Sequence, residues 1–345
     1  MKSACLTGLR KVEVLELPRP ERKNPDDVLV RIKSCGVCGS DVHYYRDGRI
    51  GPSACSYPHY IGHEPAGVVE EAKPGSSFSP GDRVAIEPGL NCGVCEFCRD
   101  GRPNICPSVK FLASPGVPGA FQEYLVLRES QLLRLPDNLG FDEGAMLEPL
   151  GIAWHAVLNL AKLQHGESIA VFGAGPIGLL ILSLAKIYGC GEAFISDPLD
   201  WRLDFAKRHC GADFVLNPEK DDVPRRILEE SKGRGVDLSF EAAGMQQSID
   251  HSFEAVRIGG KAVLAGIPEA QAISYNPHLA RRKELQILNV RRSKQTLKDC
   301  TNLAASGKIK LGPYVTHRFS LDETASAFEL VDGYRDKVIR AVINP

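Results

Sequence analysis

The stretch SIAVFGAGPIGLLILSLAKIYG, Ser168 to Gly189, decides the fold. It opens as a short apolar run, breaks at glycines and continues in residues that favour a helix. The break, Gly173-Ala174-Gly175-Pro176-Ile177-Gly178, fits the spacing G-x-G-x-x-G. The first glycine allows a tight turn, the second lets backbone approach a pyrophosphate, and the third permits close packing of helix on strand. Pro176 suits the first helical turn, where its missing N–H costs nothing. The helix N-terminus then faces phosphate with free N–H groups. Three glycines alone are a weak signal. The next strand-like run, EAFISD, ends in Asp197, 19 residues beyond Gly178 (197 − 178). A carboxylate there can accept from a ribose 2′-OH and repels a 2′-phosphate, which favours NAD over NADP. Arg202, five residues on (202 − 197), could accommodate a phosphate, and the plain alternative for Asp197 is a strand-end acid capping a turn.

Downstream, the runs DFVLN, VDLSFEAAG, KAVLAG and LQILNV alternate with helical stretches such as DWRLDFAKRHCG. That alternation predicts βαβ units on a parallel sheet, a Rossmann dinucleotide-binding domain over 151–290. Upstream the texture changes. Turn signals crowd PGSSFSPGDRV, EPGLNCGVC and SPGVPGAF, and the short runs DVLVRIKSC, PAGVVEEA and FQEYLVL alternate as strands do. The residues after 290 read as a helix and then β structure returning to the first part. A β-rich domain is therefore expected over 1–150 and 291–345.

A length of 345 residues fits two domains, and 43% hydrophobic content is enough for a core without staples. The net charge is −1 and no block of like charge runs to five residues, which argues against nucleic acid or a membrane surface as the main partner. No apolar run approaches the ~18 residues of a membrane span. The opening MKSACLTGLRKVEVLELPRP breaks its apolar residues with charge, unlike a signal peptide, so the expected address is cytoplasmic. Eleven cysteines in a reducing compartment point to metal or catalysis before disulfides.

The tetrapeptide CGVC occurs twice, in different company. Cys92, Cys95, Cys98 and Cys106 are spaced C-x2-C-x2-C-x7-C. Four thiolates satisfy tetrahedral zinc and leave no open position, so 90–107 reads as a structural zinc lobe. An iron–sulfur cluster also takes four cysteines, but its usual runs end differently. The other copy holds Cys35 and Cys38, which a redox reading would make a C-x-x-C pair, although such pairs usually open a helix in a thioredoxin-like unit. His63 and Glu64 of IGHEPAG follow 25 residues after Cys38 (63 − 38). One thiolate, one imidazole and one carboxylate with an exchangeable fourth position would make a catalytic zinc.

Taken together, GVCGSD, GHEPAG, the four-cysteine lobe and the GAGPIG turn resemble the zinc-dependent medium-chain dehydrogenase/reductase family along essentially the whole chain. CGSDVHYYRDGRIG, MLEPL and YVTHRF are most similar to its polyol branch, the sorbitol and xylitol type. The resemblance implies a GroES-like β-rich catalytic domain beside the Rossmann domain. It implies catalytic zinc on Cys38 and His63, with Glu64 and Glu148 matching two acids that ligate the metal or hold its water. It leaves Cys35 as a buried thiol. It places Ser40 and His43 in a proton relay, and Tyr44, Phe111 and Ser114 at the substrate. On the cofactor side it places Ile177, Asp197 and Arg202 against NAD, with Ala243, Gly266 and Val290 near the nicotinamide end and Arg291 reaching the polyol.

The family's usual Phe-Arg-Tyr run departs here to NVRRSK, so Arg292 stands in place of a tyrosine. A second cation could favour an acidic substrate such as an aldonate or a sugar phosphate; the alternative is that Arg292 points to solvent or to a neighbouring subunit. The implied reaction is hydride transfer from a secondary alcohol of a polyol or sugar derivative to NAD, with zinc as Lewis acid. Alternatives are the same chemistry on an aldonate, a sugar phosphate, threonine or a simple alcohol, and a non-catalytic nucleotide-binding protein. The resemblance also implies a homodimer or homotetramer. His59, His155 and His317 are expected as core, surface or strand histidines, and Cys55, Cys190, Cys210 and Cys300 as small buried hydrophobes.

Overall fold

Strand Asp27–Gly36 is buried along nearly its whole length in the computed structural model, which describes all residues from Met1 to Pro345. It is the spine of a seven-stranded sheet ordered Leu132–Arg134, Arg83–Ile86, Glu64–Glu71, Asp27–Gly36, Arg340–Asn344 and Val315–Ser320, with Tyr124–Arg128 also pairing to the spine. The β-branched and leucine side chains Val28, Val30 and Ile32 alternate into one core with Leu125, Leu127 and Ile343. The C-terminal strand closes this sheet: Val342 and Ile343 oppose Gly36 and Cys35. The same spine pairs with the strand beginning at Glu64, placing Gly36 opposite Glu64.

The chain divides into two units, Met1–Glu148 with Lys294–Pro345, and Pro149–Ser293; the sequence had placed the breaks at 150/151 and 290/291. The second unit carries a six-stranded parallel sheet ordered Phe214–Leu216, Ala193–Ser196, Ile169–Phe172, Val236–Glu241, Val256–Leu264 and Gln286–Asn289. Ile169 to Phe172 are buried on both faces, as parallel strands covered by helices must be. Helix Pro176–Ile187 buries every residue from Gly178 to Ala185, so its apolar run shows no amphipathic period. Each of its buried leucines contributes roughly 1.5–3 kcal/mol. DWRLDFAKRHCG forms a short helix, Asp200–Phe205, that widens into a π turn over Ala206–Cys210 before Gly211 ends it in the left-handed region.

No helix is long and apolar enough to cross a membrane. His59 and His155 are buried and His317 lies in strand Val315–Ser320. Cys35, Cys210 and Cys300 are buried, whereas Cys55 and Cys190 are only partly covered, Cys55 packing against the edge of the core of the first unit.

Candidate active site and metal centres

The four-cysteine loop is clasped at its base by a two-strand pairing, Gly89–Leu90 with Lys110–Phe111. Between them, Glu96–Arg99 forms one helical turn and Pro103–Ile105 a 3-10 turn. The sulfurs of Cys92, Cys95, Cys98 and Cys106 all lie within 4.8 Å of one another, and all four cysteines are free thiols. Cys106 Sγ is 3.6 Å and Cys98 Sγ 3.9 Å from Cys92 Sγ. Backbone N–H groups of Val94 and Cys95 pull the Cys92 thiol down to about 6. Cys98 is pushed up to about 12, by desolvation and by its sulfur neighbours. Four clustered sulfurs resist losing their protons together unless a cation joins them, and this closed set fits zinc.

The second cluster is Cys38, His63 and Glu64, whose ligand atoms also lie within 4.8 Å of one another. Local structure explains each placement. Cys38 caps helix Gly39–Asp47 in an extended conformation, so its side chain leaves the spine strand where the helix begins. His63 immediately precedes strand Glu64–Glu71, and Glu64 opens it opposite Gly36. A Cβ at position 36 would collide with Glu64 Oε2, so only glycine admits that carboxylate. Asp41, 1% exposed, ties the parts together. Its Oδ2 accepts from the Cys38 N–H at 3.1 Å and its Oδ1 from the Gly62 N–H at 3.1 Å. Asp41 Oδ1 also lies 3.5 Å from His63 Nδ1, which leaves Nε2 as the nitrogen available to a metal.

Glu64 is 1% exposed and faces Arg340, whose guanidinium is 3.2 Å away and donates to the Val37 carbonyl at 2.6 Å. The ion pair lacks hydrogen-bond geometry, and neither Glu64 oxygen has a hydrogen-bond partner. Orphaned carboxylate oxygens at such depth are costly unless a cation takes them. Burial disfavours a charged His63, yet Asp41 and Cys38 hold its pKa well above the usual value. The donor set therefore fits zinc with a further position open.

Glu148 lies outside the set of three but within electrostatic range: burial, then Glu64 and Glu87, push its carboxyl up to about 8 against His63 and Arg340. The Phe111 ring stands 5.5 Å from the His63 ring. Tyr44, 7% exposed, meets His59 edge-on at 4.8 Å. Ser40 and His43 share the helix of Tyr44; His43 Nδ1 is 3.7 Å from Asp47. Ser114 sits in the turn after Phe111, its N–H bonded to the Phe111 carbonyl.

In the second unit the glycine turn takes the expected shape. Gly173 has φ 99°, a Cβ on Gly178 would strike the Gly173 carbonyl, and Gly175 faces open space ahead of helix Pro176–Ile187. That open face, with Ile177 in the first helical turn, leaves room for phosphate. Asp197 follows strand Ala193–Ser196 and accepts from the Ala174 N–H at 2.8 Å and the Leu199 N–H at 2.9 Å. Arg202 lies 3.5 Å from it. Ala243 and Gly266 follow the strands Val236–Glu241 and Val256–Leu264, and Val290, Arg291 and Arg292 follow Gln286–Asn289. Arg292 has φ 57°, so the chain turns sharply there.

Sequence reading missed Asp41 and Arg340. Asp41 was visible inside GSD, but Arg340 lies 276 residues from Glu64 (340 − 64), with no local signal.

Residues 24–137 match the family described as alcohol dehydrogenase GroES-like domain, and residues 176–306 the family described as zinc-binding dehydrogenase. A sorbitol dehydrogenase of Bacillus subtilis is 37% identical over 348 residues, covering 100% of this chain and 97% of the relative. A D-xylulose reductase A of Aspergillus niger is 36% identical, covering 95% of this chain and 93% of its own. The crystal structure of L-idonate 5-dehydrogenase from Escherichia coli K-12 superposes with a TM-score of 0.91 at 29% identity, over 100% of this chain and 98% of that one.

Proposed function

Because the chain belongs to the zinc-dependent medium-chain dehydrogenase/reductase family, in its polyol branch, we propose that it oxidises a secondary alcohol of a polyol or sugar derivative with NAD as hydride acceptor. The observation that carries this reading is the Cys38–His63–Glu64 cluster, in which His63 and Glu64 are buried and the Glu64 carboxylate is unbonded. Zinc held there supplies Lewis acidity toward the alcohol oxygen, and NAD supplies the acceptor for hydride.

The chain's own residues do the rest. Cys38, His63 and Glu64 would hold the metal. Asp41 fixes the ring of His63, and Arg340 offsets part of the negative charge without occupying a ligand position. Glu148 and Tyr44 offer hydrogen-bond partners to polyol hydroxyls, and Phe111 and Ser114 line the wall. Ser40 and His43, one turn apart, move the released proton along the helix toward Asp47. Gly173 to Gly178 hold the pyrophosphate, Asp197 with Arg202 the adenosine ribose, and Ala243, Gly266, Val290 and Arg291 the nicotinamide end. A homodimer or homotetramer joined through the nucleotide-binding units, in the cytoplasm, completes the reading.

Asp197 sets the cofactor preference. Asp197→Asn keeps an acceptor for the Ala174 N–H but removes the charge that repels a 2′-phosphate. Its kcat/KM with NAD is expected to fall about tenfold while the value with NADP rises. An unchanged NAD/NADP ratio would remove Asp197 from this role.

A second reading, an acidic sugar substrate, is favoured by the adjacent Arg291 and Arg292. NADH formation on sorbitol, xylitol, galactitol, an aldonate, threonine and ethanol decides between them. Turnover of a polyol supports the first reading, and turnover of the aldonate alone supports the second. Silence across the panel in zinc-replete protein would sink both.

A further inference from the structure

The buried carboxylate of Glu241 has no place in the mechanism above. Glu241 ends strand Val236–Glu241, which neighbours Ile169–Phe172 where the sheet order reverses direction. In open parallel sheets a ligand lies across the C-terminal ends of the strands at that point. Here the glycine turn meets the loop after Glu241: a Cβ on Gly173 would stand 3.0 Å from the Ala243 nitrogen. Glu241 is 1% exposed. Its Oε1 accepts from the Ala243 N–H at 2.8 Å, the Gly244 N–H at 2.7 Å and the Ser248 hydroxyl at 2.7 Å. Its own carbonyl accepts from the Ala265 N–H at 2.7 Å and the Gly266 N–H at 3.0 Å. A Cβ on Gly266 would strike the Gly244 nitrogen and fall 2.6 Å from Oε2, so glycine there lets the two turns close on each other with the carboxylate between them. One residue thus fastens the turns that leave two neighbouring strands. A carboxylate holding several donors at once is a rigid anchor.

We propose that Glu241 is a positioning residue for the nicotinamide half of the dinucleotide. It fixes the Ala243–Gly244 and Gly266 turns on which that half rests, whereas the adenosine half depends on Gly173–Gly178 and Asp197. The inference rests on the dinucleotide reading of the second unit.

The test compares NADH with ADP-ribose, which lacks the nicotinamide, by calorimetry on the zinc-replete full chain. Glu241→Gln keeps the shape and one acceptor oxygen but sets an amide against the Gly266 side. It is expected to raise the Kd for NADH about tenfold and leave the Kd for ADP-ribose unchanged. Glu241→Ala, where it folds, should show a larger loss for NADH with the same selectivity. Parallel weakening of both ligands would make Glu241 a general support of the sheet and overturn the proposal, as would unchanged NADH binding. Wild-type protein that bound neither ligand would instead remove the dinucleotide reading itself.

Discussion

Cys38→Ser is expected to lower turnover by about 10²- to 10³-fold, the order that loss of a principal electrostatic group costs, while NADH binds as before. The cause is local. Cys38 stands at the cap of helix Gly39–Asp47, and the cluster loses its only thiolate while His63 and Glu64 remain. A serine hydroxyl is a poor ligand for zinc, so the zinc content should fall by one per chain. The glycine turn and Asp197 belong to the other unit and keep their bonds. Steady-state rates, zinc content and NADH titration check the three parts. Equal loss of turnover and NADH binding would mean misfolding and leave the catalytic assignment unsupported.

Cys98→Ser is expected to act on stability first. Closed four-thiolate sites contribute folding energy outright, with apparent zinc affinities of ~10–16 kcal/mol in small domains. Losing one sulfur should expose the loop from Asn91 to Cys106 to protease and lower the melting temperature. The effect should reach the alcohol site through the clasp Gly89–Leu90 with Lys110–Phe111, because Phe111 stands 5.5 Å from His63. KM for the alcohol should therefore rise while ADP-ribose binding holds. A protein of unchanged melting temperature and protease resistance would show that the lobe folds without metal.

Where function is written in short spacings, the sequence is legible. The glycine turn needs only six residues and the zinc lobe fifteen (92 to 106), and both take shapes their spacing dictates. The alternation of strand and helix after Ser168 likewise marks each strand of the parallel sheet, most plainly Ile169–Phe172, where burial on both faces needs a continuous apolar run. The reactive cluster is different. Cys38 and His63 become neighbours only through the strand pairing that sets Gly36 against Glu64, so resemblance rather than spacing linked them. Glu148 could not be ranked against Glu64 from sequence, because both are single acids in apolar surroundings. Depth and geometry separate them: Glu64 lies with Cys38 and His63, and Glu148 beside the set. Arg340 was invisible because a lone arginine in the last strand has no pattern until Glu64 is placed opposite it. Glu241 was hidden likewise, since VDLSFEAAG reads as a strand whether its glutamate is anchored or exposed.

The central claim is that the Cys38–His63–Glu64 cluster holds the metal on which polyol oxidation depends. The most direct measurement follows zinc per chain and NADH formation from a polyol together, as a chelator removes metal stepwise. Loss of turnover in step with the first zinc released, reversed on adding zinc, with the fold kept by the remaining zinc, is the expected result. Full turnover after one zinc per chain has left the cluster, or a rate indifferent to chelation, would contradict it.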